Sequence, residues 1–61
     1  MLIFTESMTK NAIAINPSQI IAVFTAIDGD YKDKTVISVP NGSIIVDEST
    51  VEILGAIRGG Q

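Results

Sequence analysis

Residue types that most often perform acid–base and nucleophilic chemistry are scarce in this chain. It has no histidine and no cysteine, so neither a Ser-His-Asp nor a Cys-His nucleophile can be assembled. The nearest acid–base candidate is the adjacent carboxylate pair Asp47-Glu48. That pair directly precedes a predicted helix, where acidic side chains commonly serve as caps. We therefore expect a protein that is not an enzyme and has no catalytic residues.

A polar loop over residues 28–34 has some features of a calcium site. Oxygen-bearing side chains recur in it at short spacing, but an EF-hand loop needs glycine at its sixth position and a bidentate glutamate at its twelfth. Asp33 and Val39 occupy those positions here. None of the glycines follows the spacing of a phosphate-binding loop. The sequence thus predicts a solvated loop, with no metal and no cofactor.

Charge and hydropathy exclude several classes of partner. The chain carries four Lys and Arg against seven Asp and Glu, a net charge of -3, whereas nucleic-acid binding relies on clustered basic residues. No apolar run approaches the roughly 18 residues of a membrane span, and no basic segment precedes an apolar stretch as in a signal peptide. We expect a cytoplasmic protein that binds neither nucleic acid nor membranes.

Length and composition predict one small, mainly β domain over residues 1–61. Isoleucine, valine and threonine supply 21 of the 61 residues and leucine only 2, and β-branched side chains favour strands. A chain of this size buries about 60% of its unfolded surface, which is little for a monomer without a disulfide. The expected fold is a β-rich α+β domain, with about five short antiparallel strands in a small sheet or barrel and one C-terminal helix.

The most apolar predicted strand covers residues 20–27. Strict alternation would place Ile20 and Phe24 on one face and Ile21 and Val23 on the other. Both faces are then apolar, which is typical of a strand buried on both sides. So small a chain has little material to cover both faces, so the sequence predicts closure into a small barrel, a helix on one face or a second subunit.

Asn41-Gly42 predicts a type I′ hairpin turn between the last two strands. This two-residue turn would set Val39 opposite Ile44 and Ile37 opposite Val46, all on one face.

The final segment predicts a helix over about residues 48–57. Ser49 and Glu52 fit a capping box, with Asp47 as a second cap candidate. Helical spacing groups the apolar residues on one face, and the glycine pair 59–60 should end the helix. The residues predicted to share that face are Val51, Ile53, Leu54 and Ile57.

Three stretches within residues 11–57 resemble the FlbD family of small flagellar-associated bacterial proteins. They are Ile15-Asn16-Pro17-Ser18-Gln19-Ile20, Thr35-Val36-Ile37-Ser38-Val39-Pro40-Asn41-Gly42, and Ile45-Val46-Asp47-Glu48-Ser49 with Val51-Glu52-Ile53. The resemblance implies a small strand-rich fold and supplies no catalytic residue.

The opening Met1-Leu2-Ile3-Phe4-Thr5 also resembles the carbon storage regulator family of RNA-binding, strand-swapped dimers. That resemblance implies a dimer. The arginines that contact RNA in the family would follow the first strand, where this chain has Glu6 and Ser7.

We therefore expect a small binding or regulatory protein that acts through protein–protein contacts as a homo-oligomer. One alternative is a virus-encoded inhibitor or an oligomer that binds a small ligand between subunits. Another is an RNA-binding dimer, which the negative charge disfavours. The candidate interface residues are Phe4, Ile21, Val23, Tyr31 and Ile45.

Overall fold

The computed structural model describes residues 1–59, which form a small β-rich α+β domain. The predicted class, with five antiparallel strands and a C-terminal helix, is confirmed. The elements are β1 (Leu2–Thr5), β2 (Ala12–Ile15), a 3₁₀ turn (Pro17–Gln19), β3 (Ala22–Thr25), β4 (Thr35–Val39), β5 (Gly42–Val46) and α1 (Thr50–Gly59). No helix within residues 1–59 is long and apolar enough to cross a membrane.

Two antiparallel sheets meet where β1 and β5 end. One sheet is the β1-β2 hairpin, and the other has the order β3-β4-β5. A bridge between Glu6 and Val46 joins them, and the Asp47 amide donates to the Thr5 carbonyl at 2.9 Å. The strands therefore follow one another in the order β2-β1-β5-β4-β3, which leaves β2 and β3 at the two ends.

The core lies between the two sheets and the helix. Ile37, Val46 and Ile53 are fully buried and come from β4, β5 and α1 respectively. The hairpin contributes the buried side chains of Leu2, Phe4 and Ile15. We call the side of the three-stranded sheet that carries Ile37 and Val46 its inner face, and the opposite side its outer face.

The β4-β5 turn lies one residue earlier than predicted. Val39 pairs with Gly42 and Ile37 with Ile44, so the turn residues are Pro40 and Asn41. A type I′ turn requires positive φ at both central residues, and the ring of Pro40 holds φ negative. The predicted register was therefore wrong by two residues. Because the error is even, the apolar residues remain on the predicted face.

A β-bulge at the start of β3 overturns the predicted faces of that strand. The Ile21 amide donates to the Ser38 carbonyl at 2.8 Å, although Ala22 is the register partner of Ser38. Two residues thus oppose one, which interrupts the alternation of side chains. As a result Ile20 packs against the core together with Val23, while Ile21 is 67% exposed.

The prediction that residues 20–27 are buried on both sides is wrong for the single chain. The strand proper is only Ala22–Thr25 and forms one end of its sheet. Phe24 is 49% exposed and Ile27 is 83% exposed.

The helix begins at Thr50, two residues later than predicted, and its capping box is confirmed. The Glu52 amide donates to Ser49 Oγ at 3.1 Å, and the Ser49 amide donates to Glu52 Oε1 at 3.2 Å. Asp47, the second cap candidate, binds lysine side chains instead. The helix includes Gly59, and residue 60 of the predicted stop lies outside the described residues.

The predicted apolar face of the helix was wrong in two of its four members. Ile53 is buried, and Ile57 packs beside it with Ala56, because residues three and four apart share a helix face. Val51 lies two residues before Ile53, about 200° around the axis. It is 78% exposed, and Leu54 is also exposed.

Candidate interaction surface

The five candidate interface residues occupy three different environments. Phe4 is buried in the core, and Val23 packs against that core from the inner face. Ile45 is half-buried on the outer face, whereas Ile21 and Tyr31 are exposed. The structure therefore leaves Ile21, Tyr31 and part of Ile45 accessible, and it assigns Phe4 to the interior of the domain.

An apolar row crosses the outer face, and two of its three members, Phe24 and Val36, were not among the predicted interface residues. Phe24 pairs with Val36, and Val36 pairs with Ile45, so these three side chains lie side by side on three adjacent strands. Val36 is buried between its neighbours, while Phe24 stays about half exposed. Phe24 is one of only two phenylalanines in the chain, and that was the sequence signal for it.

The edge of β3 that faces away from β4 has no strand partner within residues 1–59. The Ala26 amide donates to Lys34 and the Ala26 carbonyl accepts from Asp33, both at 2.9 Å. The peptide groups of Ala26 therefore face β4. Because this direction alternates along an antiparallel strand, the N–H and C=O groups of Val23 and Thr25 point away from the sheet.

This edge lies in a long segment without charge. No Asp, Glu, Lys or Arg occurs from residue 11 to residue 27, and Lys10 and Asp28 flank that segment. Natural sheets commonly protect their edges with charged side chains, proline or bulges. Here the only such feature on β3 is the bulge at its first residue, so the remainder of the edge stays suited to strand pairing.

Tyr31 holds the 28–34 loop against the segment after β1. Its hydroxyl donates to Met8 Sδ at 3.7 Å, and Gly29 and Asp33 turn the loop with φ of 83° and 71°. The contact gives the exposed Tyr31 side chain a structural role in the loop.

The two adjacent carboxylates, Asp47 and Glu48, bind different partners. Asp47 accepts from Lys10 Nζ at 2.8 Å and from Lys34 Nζ at 3.4 Å. The hydrogen bond from Lys10 is the main cause that lowers the Asp47 pKa from its ordinary value. The Glu48 carboxylate accepts from the Thr5 amide. Both side chains therefore hold the fold together.

Neither a cavity nor a metal-ligand cluster is found in the part of the chain that the structure describes. The accessible features are instead the β3 edge and the apolar row beside it. We call residues 21–27 together with this row the β3 surface.

No known family model, curated protein or solved structure matches this chain. The resemblances to the FlbD and carbon storage regulator families therefore stay predictions.

Proposed function

We propose that this chain is a non-enzymatic binding protein of the regulatory kind, which acts through protein–protein contacts as a homo-oligomer. The observation that carries the proposal is the β3 surface, where an unpaired strand edge adjoins the exposed side chains of Ile21, Phe24 and Ile27. Exposed apolar side chains along an unpaired strand edge favour association with another chain. A cytoplasmic location belongs to the same proposal, since a domain without disulfides suits a reducing compartment.

The size of the domain supports self-association. A typical stable interface takes about 800 Å² from each partner, which would be about a fifth of this chain's surface of 4003 Å². Fully burying an isoleucine or phenylalanine contributes about 1.5–3 kcal/mol. A second copy on the β3 surface would thus supply apolar burial that 61 residues cannot supply alone.

The charge distribution also supports a protein partner over a nucleic acid. Two of the four basic residues, Lys10 and Lys34, are already paired with Asp47. Two copies that meet through residues 11–27 bury no charged side chain of that segment, which avoids the large desolvation penalty of an interfacial ion.

Sedimentation equilibrium across the micromolar range tests this proposal. We expect a mass that rises with concentration from the 6.5 kDa of one chain to a defined multiple of it. Ionic strength serves as the control, because association through uncharged surface should persist at high salt, where surface ion pairs are screened. A species of one-chain mass at every concentration contradicts the proposal.

A further inference from the structure

We propose that β3 pairs antiparallel with β3 of a second copy, on a twofold axis that passes beside Phe24. The pairing would join the two three-stranded sheets into one continuous sheet. This inference rests on the proposed self-association and specifies the edge, the direction and the register through which it occurs.

The backbone of β3 presents the groups that this register needs. The N–H and C=O groups of Val23 and Thr25 point away from β4, as the bonds of Ala26 establish. With the axis beside Phe24, Val23 lies opposite Thr25 of the second copy, and Thr25 lies opposite its Val23. Both pairs then exchange N–H···O=C hydrogen bonds in each direction.

The order of side chains in this segment identifies a second copy as the partner. Residues 22–26, which follow the bulge, read Ala-Val-Phe-Thr-Ala, which is close to a palindrome of residue types around Phe24. Antiparallel self-pairing centred there sets Phe beside Phe and Ala beside Ala. Its one unlike pair is Val with Thr, and these two β-branched side chains have nearly the same shape. An unrelated strand would have no reason to match this symmetry.

The same register covers the side chain of Phe24, which is 49% exposed in the single chain. Phe24 occupies a position that is not hydrogen-bonded to the second copy, where the Cα atoms of opposed residues lie about 4.5 Å apart. The two phenyl rings therefore meet on the outer face.

The helix leaves this edge accessible. Ile53, Ala56 and Ile57 of α1 pack into the same core as Val23, from the inner side of the sheet. Ala22, Phe24 and Thr25 all remain exposed, as expected for a strand whose edge and outer face are open.

Disulfide trapping tests the register directly, because the natural chain contains no cysteine. The opposed Cα spacing of about 4.5 Å falls within the range that a disulfide spans, so Phe24→Cys should yield a covalent dimer under mild oxidation. Val51→Cys, at a helix residue that is 78% exposed, is the matched control. It should remain largely monomeric under the same oxidation. Equal trapping of the two variants overturns the register.

Proline substitutions test the choice of edge. Thr25→Pro removes an outward N–H without touching the bonds to β4, and it should raise the dimer dissociation constant about tenfold or more. Ala14→Pro is the matched control on β2. The Glu6 amide donates to the Asn11 carbonyl, so the peptide groups of Asn11 face β1. By alternation along the strand, the Ala14 N–H points away from β1. Ala14→Pro should leave the dissociation constant unchanged.

The outcomes separate this inference from the proposed function. Association that survives Thr25→Pro but is lost with Ala14→Pro overturns the β3 edge and leaves self-association standing. A wild-type chain that is monomeric at every concentration overturns both. Far-UV circular dichroism checks that each variant folds. If Thr25→Pro does not fold, the comparison of Phe24→Cys with Val51→Cys tests the β3 edge instead.

Discussion

The carboxylate of Glu48 accepts the backbone amide of Thr5 through both of its oxygens, at 2.9 and 3.1 Å. Strand β5 has already ended at Val46, so the side chain takes the place that a strand carbonyl would fill beside β1. Together with the bond from the Asp47 amide to the Thr5 carbonyl, it satisfies both peptide groups of Thr5. Glu48 thereby attaches the N-terminal hairpin to the rest of the domain.

Replacing Glu48 should destabilise the fold although the side chain is not in the core. Hydrogen bonds to charged acceptors contribute about 1.5–3 kcal/mol, so Glu48→Ala should lower the free energy of unfolding by about that amount in urea titrations. Glu48→Gln keeps one carbonyl acceptor and should lose about half as much. Equal stability of Glu48→Ala and the wild type would show that water replaces the carboxylate without cost.

Asp47 should make stability depend on acid pH. Its pKa is lowered in the folded state below the ordinary value of 3.8, first by the hydrogen bond from Lys10. A carboxyl whose pKa is lower when folded stabilises the fold above its unfolded pKa, and this contribution is lost as pH falls through the folded value. Urea unfolding of the wild type below about pH 4 should show that loss, and Asp47→Asn should lack this component. Asp30→Asn is the control, since within residues 1–59 Asp30 enters no ion pair; an identical acid profile for all three proteins contradicts the assignment.

The corrected orientation of the helix predicts a sharp contrast between two neighbouring positions. Ile53 is fully buried and Val51 is 78% exposed. Ile53→Val should reduce the free energy of unfolding by about 0.5–1.5 kcal/mol, because it removes a buried methylene. Val51→Ala should stay within about 0.5 kcal/mol of wild type, since exposed substitutions have small effects. Chemical denaturation measures both, and the reverse order of effects would favour the helix face predicted from the sequence.

Removing the helix cap should have a moderate and local effect. Ser49→Ala deletes the acceptor of the Glu52 amide and should cost about 1 kcal/mol. For a domain of this size that corresponds to a fall in Tm of about 4–8 °C. Ser49→Asn restores a capping oxygen and should recover most of the loss. A Tm that is the same for serine, alanine and asparagine would mean that the cap contributes nothing measurable.

The sequence predicts the number, type and order of the elements because these follow from local patterns. β-branched content, a capping box and a turn signal each act over a few residues, and all three were found near their predicted places. The predicted hairpin turn was one residue too late because the prediction followed the Asn41-Gly42 signal and not Pro40. The fixed φ of Pro40 was the more restrictive constraint.

What the sequence could not predict depends on contacts between distant residues. The bulge at Ile21 arises from how the strand meets Ser38, and no alternation rule foresees the change of face that follows. Likewise the sequence predicts Asp47 as a helix cap, because it cannot show that the fold brings Lys10 and Lys34 beside it. The exposed Phe24 became a candidate only when the strand order placed β3 at an end of the sheet.

The attachment of the hairpin through Glu48 also bears on the order of folding during synthesis. Thr5 and Glu48 are 43 residues apart, and Lys10 and Asp47 are 37 apart. The β1-β2 hairpin closes locally, but an isolated two-stranded hairpin is at best marginally stable in water. Its stabilising partners leave the ribosome only after β3, β4 and β5, so the first strands made are among the last to be secured. Closure over so long a span slows folding. Until these contacts form, the uncharged 11–27 segment is exposed in a nascent chain whose core is not yet packed.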